Sequence, residues 1–211
     1  GTEFNLETFR KYMNKIKKYG FLSCTISSGE PTLVKEMPEI LTNAKKHFPF
    51  GILLITNLYG KNDLFYRVID SALKNNINIS ASFDGFGEVV DKLRGAVNVS
   101  DTMLKNIDYV NNKKKELNSK SKLTLHTVIS EANLNQVEDI MDLAKKVGWN
   151  YTIAPVNNFF YQGDNNPDLP RLYYSDKLKS IIARSLTEDH MGQQSKFLKG
   201  ILHFIKGKAP K

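Results

Sequence analysis

The chain has 211 residues, of which 41% are hydrophobic and 25% are charged, and its formal net charge at pH 7 is +8. A chain of this length can bury one sizeable core, so we expect one main domain. It contains no run of about 18 apolar residues, and its N-terminus lacks the basic and then apolar pattern of a signal peptide. Neither a membrane span nor secretion is indicated, and a cytoplasmic protein is expected.

Cysteine content and charge distribution narrow the classes of function. Cys24 is the only cysteine, so the chain can form no disulfide within itself and no metal site made of cysteines alone. The lysines are spread over predicted helical faces. Nucleic-acid recognition normally adds a motif or aromatic residues to a basic surface, and the sequence has neither. Nucleic-acid binding is therefore the weakest function considered.

Apolar periodicity predicts alternating helices and strands as far as residue 155. Phe9, Met13 and Ile16 have the spacing of an amphipathic helix, which Gly20 would end. The apolar run from Gly51 to Thr56 is typical of a buried parallel strand. In chain order we predict a helix over 6–19, a strand over 21–27, a helix over 33–48, a strand over 51–56, a helix over 63–75, a strand over 77–83, a helix over 102–117, a strand over 123–129, a helix over 134–147 and a strand over 151–155.

This alternation predicts an α/β fold. Units of about 25 to 30 residues suit right-handed βα crossovers and hence a parallel sheet covered by helices. Because the chain opens with a helix, we expect a further strand before residue 1, which would complete a partial (β/α)6 barrel. Residues 1–155 would form this core, and the loop and helices of 156–211, with helices over 175–186 and 193–205, would pack on it.

Polar residues follow the predicted strands. Ligands of parallel α/β proteins bind at the carboxyl ends of the strands, so these residues would meet at one rim. A Glu30 carboxylate can pair with an ammonium group, and the planar guanidinium of Arg94 suits a carboxylate. Both groups occur in a zwitterionic amino acid. The rim segments are Ser27-Ser28-Gly29-Glu30-Pro31, Thr56-Asn57, Ser82-Phe83-Asp84-Gly85, and Ser130 with Asn133.

The same segments resemble motifs of radical S-adenosylmethionine (SAM) enzymes. Ser28-Gly29-Glu30-Pro31 resembles the Gly-Gly-Glu-Pro motif that binds the methionyl amino group. Thr56-Asn57 resembles a Thr-Asn-Gly motif, with Leu58 where glycine is usual. Their order and spacing, over roughly residues 5 to 155, carry the resemblance. The further matching segments are Ser80 to Gly85, Lys92 to Gly95, Thr127 to Ser130, and Asn133-Leu134.

The resemblance implies a SAM-binding site. Gly29 and Glu30 would lie near the amino group of SAM, and Arg94 near its carboxylate. Ser82 and Asp84 would lie near the ribose or the carboxylate. The full set of implied cofactor-binding residues is Ser28, Gly29, Glu30, Pro31, Thr56, Asn57, Ser82, Asp84, Arg94, His126 and Val128.

The intact enzyme that the resemblance implies would use a [4Fe–4S] cluster to cleave SAM to a 5′-deoxyadenosyl radical. That radical would act on a small molecule, a peptide or a protein, and an electron donor would reduce the cluster. Family members hold the cluster with a CxxxCxxC loop after the first strand, and this chain has no such loop. No catalytic residue or metal ligand is therefore predicted, and the chain alone is expected to be inactive.

Two explanations of the absent loop remain open. We favour a segment that is truncated downstream of the cysteine loop over a barrel that lost the chemistry. The helix from Phe197 onwards resembles the one that precedes an auxiliary-cluster region of the SPASM type. A CxxxCxxC motif within about 20 residues upstream in the parent gene, the reach of one strand and its loop, would decide between them.

Rival functions also remain open. A cluster-free barrel would bind a small molecule, a nucleotide or a partner protein at its rim. Each rim residue also has a structural interpretation, because polar side chains are common where barrel strands end in loops. Glu30 would then cap or pair within the rim, Arg94 would form a surface ion pair, and His126 would be a satisfied core histidine.

Overall fold

One sheet of five strands organises the computed structural model of the chain, which describes residues 5–27, 29–156, 175–188 and 195–205. The strand order is β1-β2-β3-β4-β5, and β1 pairs with β2, and β2 with β3, in parallel. This is the predicted α/β fold, and the strands of the described residues do not close a barrel. The strands are β1 (Ser23–Ile26), β2 (Gly51–Thr56), β3 (Asn78–Ser82), β4 (Leu123–Ile129) and β5 (Asn150–Pro155).

Helices separate the strands along the chain. Within the described ranges, no helix is long and apolar enough to cross a membrane. The α-helices are α1 (Leu6–Ile16), α2 (Met37–Ala44), α3 (Asp63–Lys74), α4 (Gly87–Arg94), α5 (Val99–Glu116), α6 (Val137–Val147), α7 (Asp176–Thr187) and α8 (Ser195–Ile205). The chain divides into two compact units, the first comprising Gly1–Ser82 and Asn98–Thr124 and the second Phe83–Val97 and Leu125–Lys211.

The core of the first unit follows from the apolar patterns. In β2 burial alternates, so that Ile52 and Leu54 are buried on one face. Helix α3 begins after Asn62, whose side chain accepts a hydrogen bond from the backbone N–H of Phe65 at 2.9 Å, which is a regular N-cap. The amphipathic face of α3 is buried through Phe65, Val68, Ile69, Ser71, Ala72 and Leu73.

A helix of the same unit fixes the loop that follows β2. The Asn106 side chain, on α5, donates hydrogen bonds to the carbonyl oxygens of Leu58 at 2.8 Å and Gly60 at 2.9 Å. Asn106 is buried, so these carbonyls are satisfied without water. The loop is therefore anchored to α5 rather than exposed as a free turn.

In the second unit, a carboxylate ties the end of α7 to α6 and β5. Glu188 accepts hydrogen bonds from the Tyr151 hydroxyl at 2.5 Å and from the Lys145 ammonium at 2.6 Å. Arg184 donates to the same carboxylate at 3.0 Å. Burial alone would raise the pKa of Glu188, but these hydrogen bonds outweigh burial and lower the pKa to about 2.

The largest differences from the predicted elements are at three helices, of which α5 begins at Val99 rather than at Thr102. The sequence pattern does not indicate α4, because only Val90 of its residues is buried and the apolar periodicity is correspondingly weak. Helix α2 begins at Met37 rather than at Leu33, since Pro31–Leu33 forms a separate 3-10 turn, and it ends at Ala44 rather than at Phe48. The predicted loop after residue 156 and the first residues of the last helix, 193 and 194, lie outside the described residues.

A glycine-to-alanine pair tests the packing of the anchored loop. A Cβ at Gly60 would lie 2.2 Å from the Phe65 ring, which is 1% exposed and has no room to move. We expect Gly60→Ala to lower the free energy of unfolding by about 1–3 kcal/mol, measured by urea denaturation. The control is Gly200→Ala in α8, where a Cβ meets nothing within 4 Å and helix propensity improves by up to about 1 kcal/mol. Equal stabilities for the two variants would contradict the tight packing.

The depressed pKa of Glu188 predicts a pH dependence of stability. Ionised Glu188 stabilises the folded chain above the ordinary carboxyl pKa of about 4.5, and this contribution is lost as the pH falls towards 2. We expect Glu188→Gln to lower the free energy of unfolding at pH 7 by about 1–3 kcal/mol and to flatten its decline between about pH 5 and pH 2. Denaturant titrations across this range would measure both effects. Glu116→Gln, at a side chain that is 64% exposed, should leave the pH profile unchanged.

Candidate functional site

The carboxylate of Glu30 forms a cluster at the carboxyl ends of β1 and β2, in the first unit. Its Oε1 accepts hydrogen bonds from the Thr32 backbone N–H at 3.1 Å, the Thr32 hydroxyl at 2.8 Å and the Thr56 hydroxyl at 2.7 Å. Its Oε2 accepts from the backbone N–H of Asn57 at 2.7 Å. Thr32 and Thr56 are buried, so the carboxylate satisfies hydroxyls that water cannot reach.

The backbone around this cluster has unusual conformations. Gly29 has φ +54°, and Leu58 has φ +52°, in the left-handed region that favours glycine. A glycine is usual at the position of Leu58 in the family that the sequence resembles, and this φ gives the physical reason. The Leu58 side chain is fully buried, which offsets the backbone strain through apolar burial.

Asp84 forms a second cluster, in the second unit, after the end of β3. Its Oδ1 accepts a hydrogen bond from the Val128 backbone N–H at 2.9 Å, and its Oδ2 pairs with the Arg94 guanidinium. The backbone oxygen of Asp84 accepts from the Asn133 amide at 2.8 Å. The same amide donates to the Val128 carbonyl at 2.8 Å, and its Oδ1 accepts from the Ser130 N–H at 2.7 Å.

The position of the Arg94 side chain is set by the end of helix α4. Arg94 is the last residue of α4, which ends because Gly95 has φ +60° and forms a left-handed C-cap. A cation at a helix C-terminus interacts favourably with the helix dipole. The Arg94 side chain is 33% exposed, so the guanidinium that pairs with Asp84 also remains accessible to solvent.

His126 and Thr152 form a pair on neighbouring strands of the second unit. Nδ1 of His126 lies 2.8 Å from the Thr152 hydroxyl. Burial lowers the pKa of His126, and the nearby Asp84 carboxylate opposes that shift only in part. The imidazole is therefore mainly neutral at pH 7.

The structure brings most of the predicted site residues into these contacts. Glu30, Thr56 and Asn57 are joined directly, as are Asp84, Arg94 and Val128. Pro31 is buried at the start of the 3-10 turn, and Ser82 is half-buried at the end of β3. Ser28 lies outside the described residues. Within the part of the chain that the structure describes, no three His, Cys, Asp or Glu side chains form a group that could hold a metal ion.

Three contributing residues were not among the predicted site residues: Thr32, Asn133 and Thr152. Thr32 follows Glu30-Pro31, and a hydroxyl two residues after a carboxylate is a signal for a local turn. Asn133 lies close to Ser130 in the sequence, but the hydrogen bond from its amide to the Asp84 carbonyl, 49 positions away, depends on long-range folding. Nothing in the sequence marks Thr152 as the partner of His126.

Comparisons with solved structures show what the fold is similar to. Streptococcus suis SuiB bound to S-adenosylmethionine matches with a TM-score of 0.63 and 17% identity, over 88% of this chain and 40% of SuiB. SuiB bound to the precursor peptide SuiA matches with a TM-score of 0.64, 17% identity and 89% and 40% coverage. Native anSMEcpe with bound AdoMet matches with a TM-score of 0.60 and 15% identity, over 97% of this chain and 54% of anSMEcpe.

These likenesses establish the fold, and the chain spans about 40% of the SuiB length and 54% of the anSMEcpe length. No family model matches the sequence, and no curated protein is significantly similar to it.

A conservative variant tests the Glu30 cluster. Glu30→Gln replaces one carboxylate oxygen by an amide NH2 that faces N–H or O–H donors, so we expect the free energy of unfolding to fall by about 1–3 kcal/mol. Urea denaturation followed by circular dichroism would measure the change. Glu39→Gln on α2 is the matched control, because that side chain is 51% exposed and lies 3.9 Å from Arg67. If the Glu30→Gln variant were as stable as the control, the four hydrogen bonds would contribute nothing to the free energy of unfolding.

Proposed function

We propose that this chain is the SAM-binding core of a radical SAM enzyme. The observation that carries the proposal is the Asp84–Arg94 pair, which lies after β3 at the position where the matching Asp-Gly and Arg-Gly segments fall in sequence. The fold is similar to those of two proteins solved with SAM. In parallel α/β folds, residues after strand ends are the ones that contact ligands.

The residues fit the two charged ends of SAM by the chemistry of their side chains. Glu30 supplies a carboxylate and Arg94 a guanidinium, the partners of an ammonium and a carboxylate. In the proposed roles, Gly29 and Glu30 lie near the amino group, and Arg94 binds the carboxylate. Ser28, Pro31, Thr56, Asn57, Ser82, Asp84, His126 and Val128 complete the proposed site.

The chain's own residues do not fit an iron–sulfur cluster. Three thiolates are needed to hold the cluster of these enzymes, and Cys24 is the only cysteine. We therefore propose SAM binding for this chain, and reductive SAM cleavage only for a longer protein that supplies a CxxxCxxC loop and an electron donor.

For the substrate of that longer protein we propose a peptide. The similar protein SuiB was solved with a precursor peptide, SuiA, bound to it. The second candidate function is a cluster-free binding barrel, which the single cysteine favours. A CxxxCxxC motif upstream in the parent gene would exclude this alternative.

Calorimetric titration of the chain with SAM tests the proposal. We expect saturable binding with one site, and we expect Arg94→Gln to weaken it by roughly 10-fold or more, since a charge-assisted hydrogen bond to the carboxylate is lost. Arg67→Gln on α3 is the matched control, because that side chain is 55% exposed. Its SAM affinity should equal that of the unmodified chain.

Three results would count against the proposal. If SAM produced no saturable heat, or if adenosine triphosphate bound as tightly, the chain would be a nucleotide-binding barrel or no SAM protein at all. If Arg94→Gln bound SAM as tightly as Arg67→Gln, the guanidinium would have no role in binding the carboxylate.

A further inference from the structure

In the first unit, the connections that lead from a helix to the next strand lie at the amino ends of the strands, opposite to Glu30. This follows because each crossover between parallel strands returns the chain to the same end of the sheet. The Phe50 N–H donates to the Leu22 carbonyl at 2.9 Å, and the Lys120 N–H donates to Oδ1 of Asn76 at 2.7 Å, so neighbouring connections are held together. The basic edge, as we call this surface, comprises residues 15–22, 45–50, 74–77 and 113–122.

The charge of the basic edge is strongly one-sided. Its residues include eleven lysines, no arginine, and Glu116 as the single acidic residue. Cations are favoured in the last turn of a helix, which accounts for some of these lysines. It does not account for Lys120 and Lys122, which lie beyond the last turn of α5. The lysines of the basic edge that are exposed to solvent are Lys15, Lys18, Lys45, Lys46, Lys74, Lys115, Lys120 and Lys122.

Large apolar side chains are also exposed on the basic edge. A groove lined in part by Phe21, Leu22 and Phe48 continues between the two connections that the Phe50 hydrogen bond joins. The Lys18 ammonium lies 5.1 Å from the centre of the Tyr19 ring, so charged and apolar surfaces adjoin. A contiguous exposed apolar patch with a polar rim marks an interaction surface. The side chains of this patch, between 54% and 79% exposed, are Tyr19, Phe21, Leu22 and Phe50.

The chemistry of the basic edge distinguishes between the surfaces that could cover it. A second copy that used the same edge would bring lysines against lysines. Single-stranded nucleic acid is bound by stacking on aromatic rings and by arginines, but Tyr19 and Phe21 pack edge to face with 60° between their planes, and the basic edge has no arginine. A bilayer interface takes up aromatic and aliphatic side chains alike, while lysines attract anionic headgroups.

We propose that the basic edge docks the chain on the surface of an anionic phospholipid bilayer. The exposed rings and Leu22 would enter the boundary between headgroups and acyl chains, and the lysines would lie among the headgroups. Apolar insertion and a basic patch are each weak alone and give stable attachment together. Because Glu30 lies at the opposite ends of β1 and β2, docking would leave the rim of the first unit open to solvent. The inference does not depend on the proposed function.

Flotation of the chain with lipid vesicles tests the apolar part of this surface. One set of vesicles is phosphatidylcholine alone, and the other has equal parts of phosphatidylcholine and phosphatidylserine. Phe50→Ala removes the most exposed ring, and Phe50→Trp keeps an aromatic side chain suited to a bilayer interface. The matched control is Leu33→Ala, because Leu33 is 68% exposed and follows the opposite end of β1 in the same unit.

A pair of double variants tests the charged part. Lys45→Gln with Lys46→Gln removes two positive charges from the basic edge. Lys35→Gln with Lys61→Gln is the matched control, since it removes the same charge from exposed lysines that follow the carboxyl ends of β1 and β2. Both double variants change the net charge of the chain equally, so a difference between them reports the position of the lysines.

We expect the chain to bind the vesicles that contain phosphatidylserine, to bind them less tightly as salt is added, and not to bind phosphatidylcholine alone. Phe50→Ala should weaken binding by roughly 10-fold, and Phe50→Trp should retain it. Lys45→Gln with Lys46→Gln should weaken it by roughly 10-fold or more. The two control variants should bind as the unmodified chain does.

Three results would overturn the docking surface: no binding to anionic vesicles at low salt, equal binding to phosphatidylcholine alone, or an equal loss in the variants of the basic edge and their controls. Oligouridylate and polyglutamate serve as competing probes for the other occupants. If they bound as tightly as the vesicles, and if Phe50→Ala left vesicle binding unchanged, the basic edge would be a surface for nucleic acid or an acidic protein, and the membrane proposal would be wrong.

Discussion

The hydrogen bonds to the Glu30 carboxylate are the constraint on which the rim of the first unit depends. Four donors from three residues converge on its two oxygens, and two of the donors are the hydroxyls of buried threonines. Leaving a buried hydroxyl unpaired costs about 1–3 kcal/mol, so the carboxylate cannot turn away without loss. A ligand ammonium at Glu30 would therefore compete with donors of the chain itself, and it would gain most from an approach that leaves these hydrogen bonds intact.

The Asp84 carboxylate also holds separate segments of the chain together, in the second unit. One of its carboxylate oxygens holds the backbone of β4 at Val128, and the other holds the Arg94 guanidinium. Because the Asp84 side chain is only 14% exposed, its charge is weakly screened by solvent and the pair keeps a defined geometry. In both units, a carboxylate whose residue type suggests ligand binding also holds the polypeptide together. The structural and the functional interpretations of these residues are therefore complementary.

The bounds of helices and strands are predictable from the sequence where the local residue pattern determines the structure. The strands β2 and β4 have the predicted bounds, because β2 is a short apolar run and β4 begins with apolar and polar residues in alternation. Helix α4 escaped prediction because a helix with one buried residue has no periodicity to detect. The residue types at the strand ends were also predictable, but their partners were not. Glu30 and Thr56 are 26 positions apart, and only folding brings their atoms to 2.7 Å. The cofactor roles of the rim residues remain predictions.

The burial and the contacts of Asn133 affect how the protein would tolerate deamidation as it ages. Its amide nitrogen donates to the carbonyl oxygens of Asp84 and Val128, its oxygen accepts from the Ser130 backbone, and the residue is completely buried. Spontaneous deamidation would turn this side chain into a carboxylate and set a buried negative charge against two carbonyl oxygens, with no cation in the contact. The burial of Asn133 makes this change damaging. It also holds the asparagine backbone in place and keeps water from the amide, so deamidation is slowed. The contacts that deamidation would break thus also protect Asn133 from it.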